Sequence, residues 1–297
     1  MTEAADLLKK VRRIEIRSRH LVEDLFAGGS ESIFKGRGIE FEEVRPYVPG
    51  DEIRSIDWNV TARLGAPYVK RFVEDRELTV LLVADVSRSM RFGTGATEKR
   101  ELAAELCAVL GFAAMRNNDR VGLVLAGETV EHYVPPARGR SHLLRMLRDV
   151  LVTTPDKSGT RLGEAVKFIL RTSHRRALVF WLSDFEDTLD VHDWRLLGRR
   201  HEVTAFLLRD QRDDLLPNVG WVELEDLESG RRTLVDTGSA RVRAAYQKQA
   251  AARRGAAEQV LTSARCPVVE LHVERPWMPV LMRYFAARRR RGPGQAT

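Results

Sequence analysis

The stretch "LTVLLVADVSRSM", residues 78–90, decides the fold. Its first half is a continuous apolar run, which is typical of a strand covered on both faces. From there to residue 275, apolar runs of this kind alternate with patterns of helical period. Strands that alternate with helices predict an α/β fold: an open, mostly parallel, Rossmann-like sheet with helices on both faces.

The rest of the chain is arranged around this region in three predicted parts. Residues 1–75 combine an amphipathic N-terminal helix, over about residues 4–26, with a segment of turns and short strands. Residues 76–275 form the α/β domain, with a hairpin insertion near 219–236, and residues 276–297 form a basic helix and tail. We expect the apolar face of the N-terminal helix to pack on the main body.

Composition limits the class of protein. The chain has 297 residues, 43% of them hydrophobic, and a net charge of +7, as in a soluble globular protein that favours anionic partners. No nucleic-acid-reading motif accompanies the charge, so no specific nucleic-acid partner is expected. Cys107 and Cys266 suit small buried positions rather than a disulfide or zinc framework. No apolar run is long enough to span a bilayer and no signal peptide is visible, so we expect a cytoplasmic protein without transmembrane segments.

Oxygen-bearing side chains collect at the ends of predicted strands. The opening stretch ends in Asp85-x-Ser87-x-Ser89, the strand "ALVFWLSD" ends in Asp184, and Thr160 precedes a predicted helix in "DKSGTRLGEAV". In an open α/β sheet, ligands bind at the carboxyl ends of the strands, so we expect these residues to meet at one edge. Each of them alone would also suit a turn or a helix cap.

Together, these five residues have the chemistry of a site for a hard divalent cation. Mg²⁺ prefers oxygen ligands and retains some of its waters, and Mn²⁺ is an alternative occupant. Three neutral hydroxyls and two carboxylates would leave the ion electrophilic towards a further carboxylate from a partner protein. The expected cofactor is therefore Mg²⁺.

The strand order and these five residues resemble a von Willebrand factor A domain with a metal-ion-dependent adhesion site. The blocks "VRPYVPGD" (residues 44–51) and "IDWNVTAR" (residues 56–63) further resemble bacterial domain-of-unknown-function family fifty-eight. The resemblance implies a metal-dependent protein-binding module rather than an enzyme, with no catalytic residues. It also implies a MoxR-type AAA+ ATPase or its substrate as the protein that donates an acidic side chain, in chaperone-like assembly or maturation of other proteins.

Two alternatives remain open at this point. The same aspartates could serve a metal-assisted hydrolase, for which His132 and His142 are the nearest candidate bases in the sequence.

The segment 36–63 could be a recognition surface or a carboxylate cluster, but we favour an arginine–aspartate network that pins a loop, with Trp58 and Tyr47 as anchors. Its charged and aromatic members are Arg37, Glu40, Glu42, Glu43, Arg45, Asp51, Arg54, Asp57, Trp58 and Arg63.

Overall fold

The computed structural model describes residues 2–27, 40–52, 55–73, 78–95, 97–155, 159–227 and 230–291. The chain forms two compact units, of which the smaller is Lys35–Leu78 and the larger joins Met1–Phe34 to Thr79–Thr297. The N-terminal and C-terminal helices thus group with the sheet, whereas the sequence analysis assigned them to separate parts. The predicted tail at 292–297 lies outside the described residues.

The smaller unit is a two-stranded antiparallel sheet with one short helix. Strand β1 (Glu40–Pro46) pairs with β2 (Tyr68–Val73), and helix α2 (Trp58–Leu64) lies between them in the chain. The Asp57 carboxylate caps α2 by accepting hydrogen bonds from the N–H groups of its first turn. The sequence predicts only strands and turns for this segment, and the Asp57 cap accounts for the additional helix.

One ion pair of the predicted arginine–aspartate network is present in this segment, and one of its predicted aromatic anchors is not. Arg45 donates two hydrogen bonds to the Asp51 carboxylate, each 2.7 Å long, in the paired geometry that a guanidinium favours. Trp58 is 67% exposed, so its predicted role as an anchor is wrong. Arg37 and Arg54 lie outside the described residues.

The larger unit is built on a six-stranded sheet with the order β10-β7-β6-β3-β4-β5. Its central strand β3 is parallel to both neighbours, and only the edge strand β5 runs antiparallel. The predicted α/β fold with an open, mostly parallel sheet is confirmed. The strands are β3 (Thr79–Asp85), β4 (Arg120–Ala126), β5 (Val130–Ala137), β6 (Leu178–Ser183), β7 (Glu202–Arg209) and β10 (Val268–His272).

Helices cover the sheet, and a hairpin projects from it. The hairpin of β8 (Trp221–Glu225) and β9 (Arg232–Asp236) lies where a hairpin insertion was predicted, near 219–236. Among the described residues, no helix is both long and apolar enough to cross a bilayer. The helices are α1 (Thr2–Ala27), α3 (Lys99–Arg116), α4 (Arg140–Val152), α5 (Leu162–Thr172), α6 (Val191–Arg200), α7 (Gln211–Asp214), α8 (Ala240–Ser263) and α9 (Met278–Arg291).

Apolar packing fixes the strands and thereby the loops at their ends. On one face of the sheet, the rings of Trp181 and Trp194 lie 4.6 Å apart between centroids in a core formed with α5, α6 and α8. On the other face, α1 packs against α3 and α4 and buries Val11 and Ile14, as predicted for its apolar side. Cys107 is one of two cysteines, both free and buried, as expected.

Candidate metal centre at the carboxyl edge of the sheet

The loop after β3 turns back on the end of its own strand. Asp85 is fully buried, and its Oδ1 accepts a 2.8 Å hydrogen bond from the Ser87 N–H. A short 3₁₀ helix (Arg88–Arg91) follows and places the hydroxyl oxygens of Ser87 and Ser89 3.0 Å apart. The Asp-x-Ser-x-Ser spacing therefore gathers three oxygen-bearing side chains within one turn.

Asp184 reaches the same place because β6 is the parallel neighbour of β3. The register pairs Ala84 with Leu182, so both strands end side by side. Ser183 Oγ donates a 2.5 Å hydrogen bond to Asp85 Oδ2 and accepts one of 2.9 Å from the Phe185 N–H. Both carboxylate oxygens of Asp85 are thus held by hydrogen bonds within the chain.

Thr160 lies at this edge as well. The N–H of the next residue, Arg161, donates a 2.9 Å hydrogen bond to the carbonyl of Gly127, just past the end of β4. The first turn of α5 is also tied to the loop after β6, since the Leu162 N–H donates to Asp187 Oδ2 at 2.8 Å. The structure thus brings Asp85, Ser87, Ser89 and Asp184 into one cluster and places Thr160 on the adjoining segment.

The two buried aspartates are in electrostatic contact and differ in their surroundings. Burial, and then the charge of Asp184, raise the pKa of Asp85 to about 7. Burial also acts to raise the pKa of Asp184, but the Lys99 charge and hydrogen bonds from Lys99 and Ser89 outweigh it, so that pKa lies below its ordinary value. Asp184 is therefore the more firmly ionised of the pair.

Lys99 is a site residue that the sequence analysis missed. It begins α3, its side chain is only 2% exposed, and its Nζ donates to Asp184 Oδ2 at 2.8 Å. The same Nζ lies 3.2 and 3.3 Å from the two carboxylate oxygens of Asp213. The sequence contains one signal for it: a lysine in the first turn of a helix is disfavoured by the helix dipole, which a nearby carboxylate offsets.

The donor set fits a hard divalent cation. Every candidate ligand presents oxygen, and two carboxylates lie beside hydroxyls that are already close together. In the part of the chain that the structure describes, no group of three or more His, Cys, Asp or Glu side chains could hold a metal ion. A cation at this edge would consequently depend on the hydroxyls of Ser87, Ser89 and Thr160.

The two histidines considered for a hydrolase make contacts elsewhere. His142 Nε2 lies 2.8 Å from the Val121 carbonyl, at the opposite end of β4. His132 Nε2 lies 3.5 Å from Asp149 on α4. Neither contact places an imidazole beside Asp85 or Asp184.

Two relatives are similar to this protein over nearly the whole chain. The uncharacterized protein Rv1480 of Mycobacterium tuberculosis is 34% identical over 289 residues, which cover 96% of this chain and 90% of that protein. The uncharacterized protein Mb1516 of Mycobacterium bovis matches with the same identity and coverage.

Two solved structures are also similar to the chain. The protein BatB from Bacteroides thetaiotaomicron is 14% identical with a TM-score of 0.46, and the match covers 71% of this chain and 100% of the BatB chain. The SpRpn10 VWA domain is 11% identical with a TM-score of 0.39, over 69% of this chain and 94% of that one.

A family model matches the part of the sequence that contains both the quoted blocks and the site residues. The model of the family described as "Protein of unknown function DUF58" matches residues 43–256, which include "IDWNVTAR" and the whole carboxyl edge from Asp85 to Asp213. With that match over most of the chain, and with relatives 34% identical over 96% of it, the chain belongs to the DUF58 family.

Proposed function

We propose that the carboxyl edge of the sheet is a divalent-ion-dependent protein-binding site. Ser87, Ser89 and Thr160 would offer hydroxyl ligands, while Asp85 and Asp184 would supply negative charge. Bound Mg²⁺ or Mn²⁺ would act as a Lewis acid that accepts a carboxylate from the partner protein.

The observation that carries the proposal is the pair of hydroxyls 3.0 Å apart beside two buried carboxylates. Buried carboxylates are costly unless a positive charge or hydrogen bonds compensate them. Asp85 accepts hydrogen bonds from Ser87 and Ser183, and the neighbouring charge of Asp184 opposes its ionisation, so a cation would relieve the repulsion between the two carboxylates. The chain's own groups thus hold and orient the ligands before any ion arrives.

We further propose that the partner is a MoxR-type AAA+ ATPase or the protein on which that ATPase acts, in assembly or maturation of other proteins. The support is membership in the DUF58 family, together with the resemblance of the five site residues to the metal site of von Willebrand factor A domains, which commonly mediate protein interactions. A surface glutamate or aspartate of the partner would complete the site.

The test uses the purified chain and the Asp85→Ala variant. Isothermal titration with MnCl₂ and MgCl₂ at neutral pH should give one ion per wild-type chain, and an affinity at least about tenfold lower for the variant. Capture of a purified MoxR-type ATPase on the immobilised chain should require Mg²⁺, fail with EDTA, and fail with Asp85→Ala.

Glu223→Ala is the matched control, because it removes one carboxylate from the exposed hairpin strand β8. It should bind Mn²⁺ and the ATPase as the wild type does. Equal Mn²⁺ affinity in the wild type and Asp85→Ala would overturn the proposal. Hydrolysis of ester or phosphoester substrates with Mn²⁺ present, lost in Asp184→Ala, would instead favour the hydrolase.

A further inference from the structure

Lys99 is placed where an added cation would otherwise be needed. Its ammonium lies 2.8 Å from Asp184, and its side chain is almost wholly removed from water. An ammonium in such surroundings is stable only when carboxylates compensate it, and two of them do. The cluster therefore carries its own positive charge before any metal binds.

The two carboxylates that share this ammonium are not equivalent. Asp184 is a candidate metal ligand, whereas Asp213 belongs to α7, at the end of β7. Asp213 Oδ2 also accepts a 2.7 Å hydrogen bond from the Asp210 N–H as part of a capping box. Asp213 is thus fixed in position by its own helix and does not depend on Lys99 for its orientation.

The loop that leads to Lys99 is anchored on the same α7 segment. The Thr94 N–H donates to Asp210 Oδ2 at 2.8 Å, and the Thr94 hydroxyl lies within 3.0 Å of that carboxylate. The ring of Phe92 lies under the ammonium, with Nζ 5.8 Å from its centroid. A lysine side chain has four flexible carbons, so its ammonium can shift towards Asp213 while the backbone stays in place.

We infer that Lys99 is a built-in cation that competes with the divalent ion for Asp184 and moves onto Asp213 when the ion binds. The inference rests on the proposed function, because it concerns the same site. It makes Lys99 and Asp213 residues that set metal affinity without ligating the metal. The free chain then binds its ion weakly, and a partner's carboxylate adds what the site needs to retain it.

The test compares Mn²⁺ affinity in the wild type, Lys99→Met and Arg88→Met, measured by isothermal titration. Lys99→Met keeps the length of the side chain and removes the ammonium, so it should bind Mn²⁺ at least about tenfold more tightly. Arg88→Met removes an equal charge from an exposed position in the connection between β3 and α3, and it should change the Mn²⁺ affinity by about twofold or less.

A second comparison separates this role from general electrostatics. Asp213→Asn should weaken Mn²⁺ binding in the wild-type background, because the ammonium then remains on Asp184. In the Lys99→Met background, the same substitution should have a much smaller effect. Equal effects of Asp213→Asn in both backgrounds would contradict the inference.

Outcomes for the two proposals are distinguishable. If the wild type binds Mn²⁺ and folded Lys99→Met binds it equally or less tightly, the competition is absent while the metal site stands. If neither binds Mn²⁺, the metal site itself is disproved. Should Lys99→Met not fold, the protected side-chain ammonium signal of ¹⁵N-labelled wild type decides: a shift on saturation with Mg²⁺ supports the movement, and an unchanged signal overturns it.

Discussion

The carboxyl edge of the sheet holds its charges out of water, whereas the amino edge displays them to solvent. At the carboxyl edge, Lys99, Asp85 and Asp184 are each no more than 2% exposed. At the amino edge, exposed arginines precede the neighbouring strands β6, β7 and β10. They are Arg171, Arg175, Arg176, Arg199, Arg200 and Arg265. Buried charges must be matched one by one, while solvated charges need no partner. Specific chemistry is therefore expected at the first edge and general attraction of anions at the second.

The amino edge departs from this contrast at its buried titratable groups, of which Asp119, just before β4, is 3% exposed. His201, just before β7, is 1% exposed, and its Nδ1 accepts a 3.3 Å hydrogen bond from the Ala177 N–H. Burial, then the charges of Arg200 and Arg176, lower the pKa of His201 to about 4. The surroundings of Lys99 and His201 therefore have opposite effects on ionisation: those of Lys99 stabilise its charged form, and those of His201 stabilise its neutral form.

The largest expected effect is that of Lys99→Met on stability with EDTA present. The substitution leaves Asp184 and Asp213 without their ammonium, and the free energy of unfolding should fall by about 3 kcal/mol. Urea unfolding followed by circular dichroism measures it. Arg175→Met, at an exposed position of the amino edge, should change it by less than about 0.5 kcal/mol. Equal losses in both variants would remove the distinction between the edges.

A smaller effect is expected from acid at the amino edge. The folded-state pKa of His201, about 4, is below the ordinary value of 6.5, so the unfolded chain takes up the proton first. Its contribution is complete above about pH 6.5 and is lost as the pH falls towards 4, by about 2.5 kcal/mol between pH 7.5 and pH 4.5. His201→Asn keeps an acceptor for the Ala177 N–H but no titrating proton. Urea unfolding between pH 7.5 and pH 4.5 should therefore show a shallower decline for the variant, and parallel declines would refute this role.

The smallest of the three effects concerns Ser183→Ala. It removes the hydroxyl that donates to Asp85 Oδ2 and accepts from the Phe185 N–H, which should cost about 1.5 kcal/mol of unfolding free energy. Ser173→Ala, at the end of α5 on the amino edge, serves as the comparison and should cost less than about 0.5 kcal/mol. Thermal unfolding midpoints of the two variants, measured in one buffer, test this order. A lower midpoint for Ser173→Ala than for Ser183→Ala would contradict it.

The sequence was sufficient for those parts of the site that lie at strand ends. Asp85 and Asp184 end or follow parallel neighbours, and the period of the apolar runs alone places such residues at one edge. Helical and strand periods likewise predicted the alternation of strands and helices in the α/β domain. These features depend on short stretches of chain, where local pattern and final structure agree.

Lys99, Asp213 and Ser183 could not be found in this way. Lys99 meets partners that are 85 and 114 residues away, and only the folded sheet brings them together. Ser183 reads as part of an apolar strand, because nothing local shows that its hydroxyl points at Asp85. Trp58 illustrates the opposite error, since a large aromatic residue in a charged segment suggested an anchor but is 67% exposed.

The position of α1 has a consequence for synthesis of the chain. This helix is synthesised before the surfaces that cover Val11 and Ile14, because those surfaces belong to α3 and α4, and α4 ends at Val152. At a synthesis rate of roughly 5–20 residues per second, the apolar side of the helix waits on the order of ten seconds for its partners. During that interval the nascent protein presents an uncovered amphipathic helix.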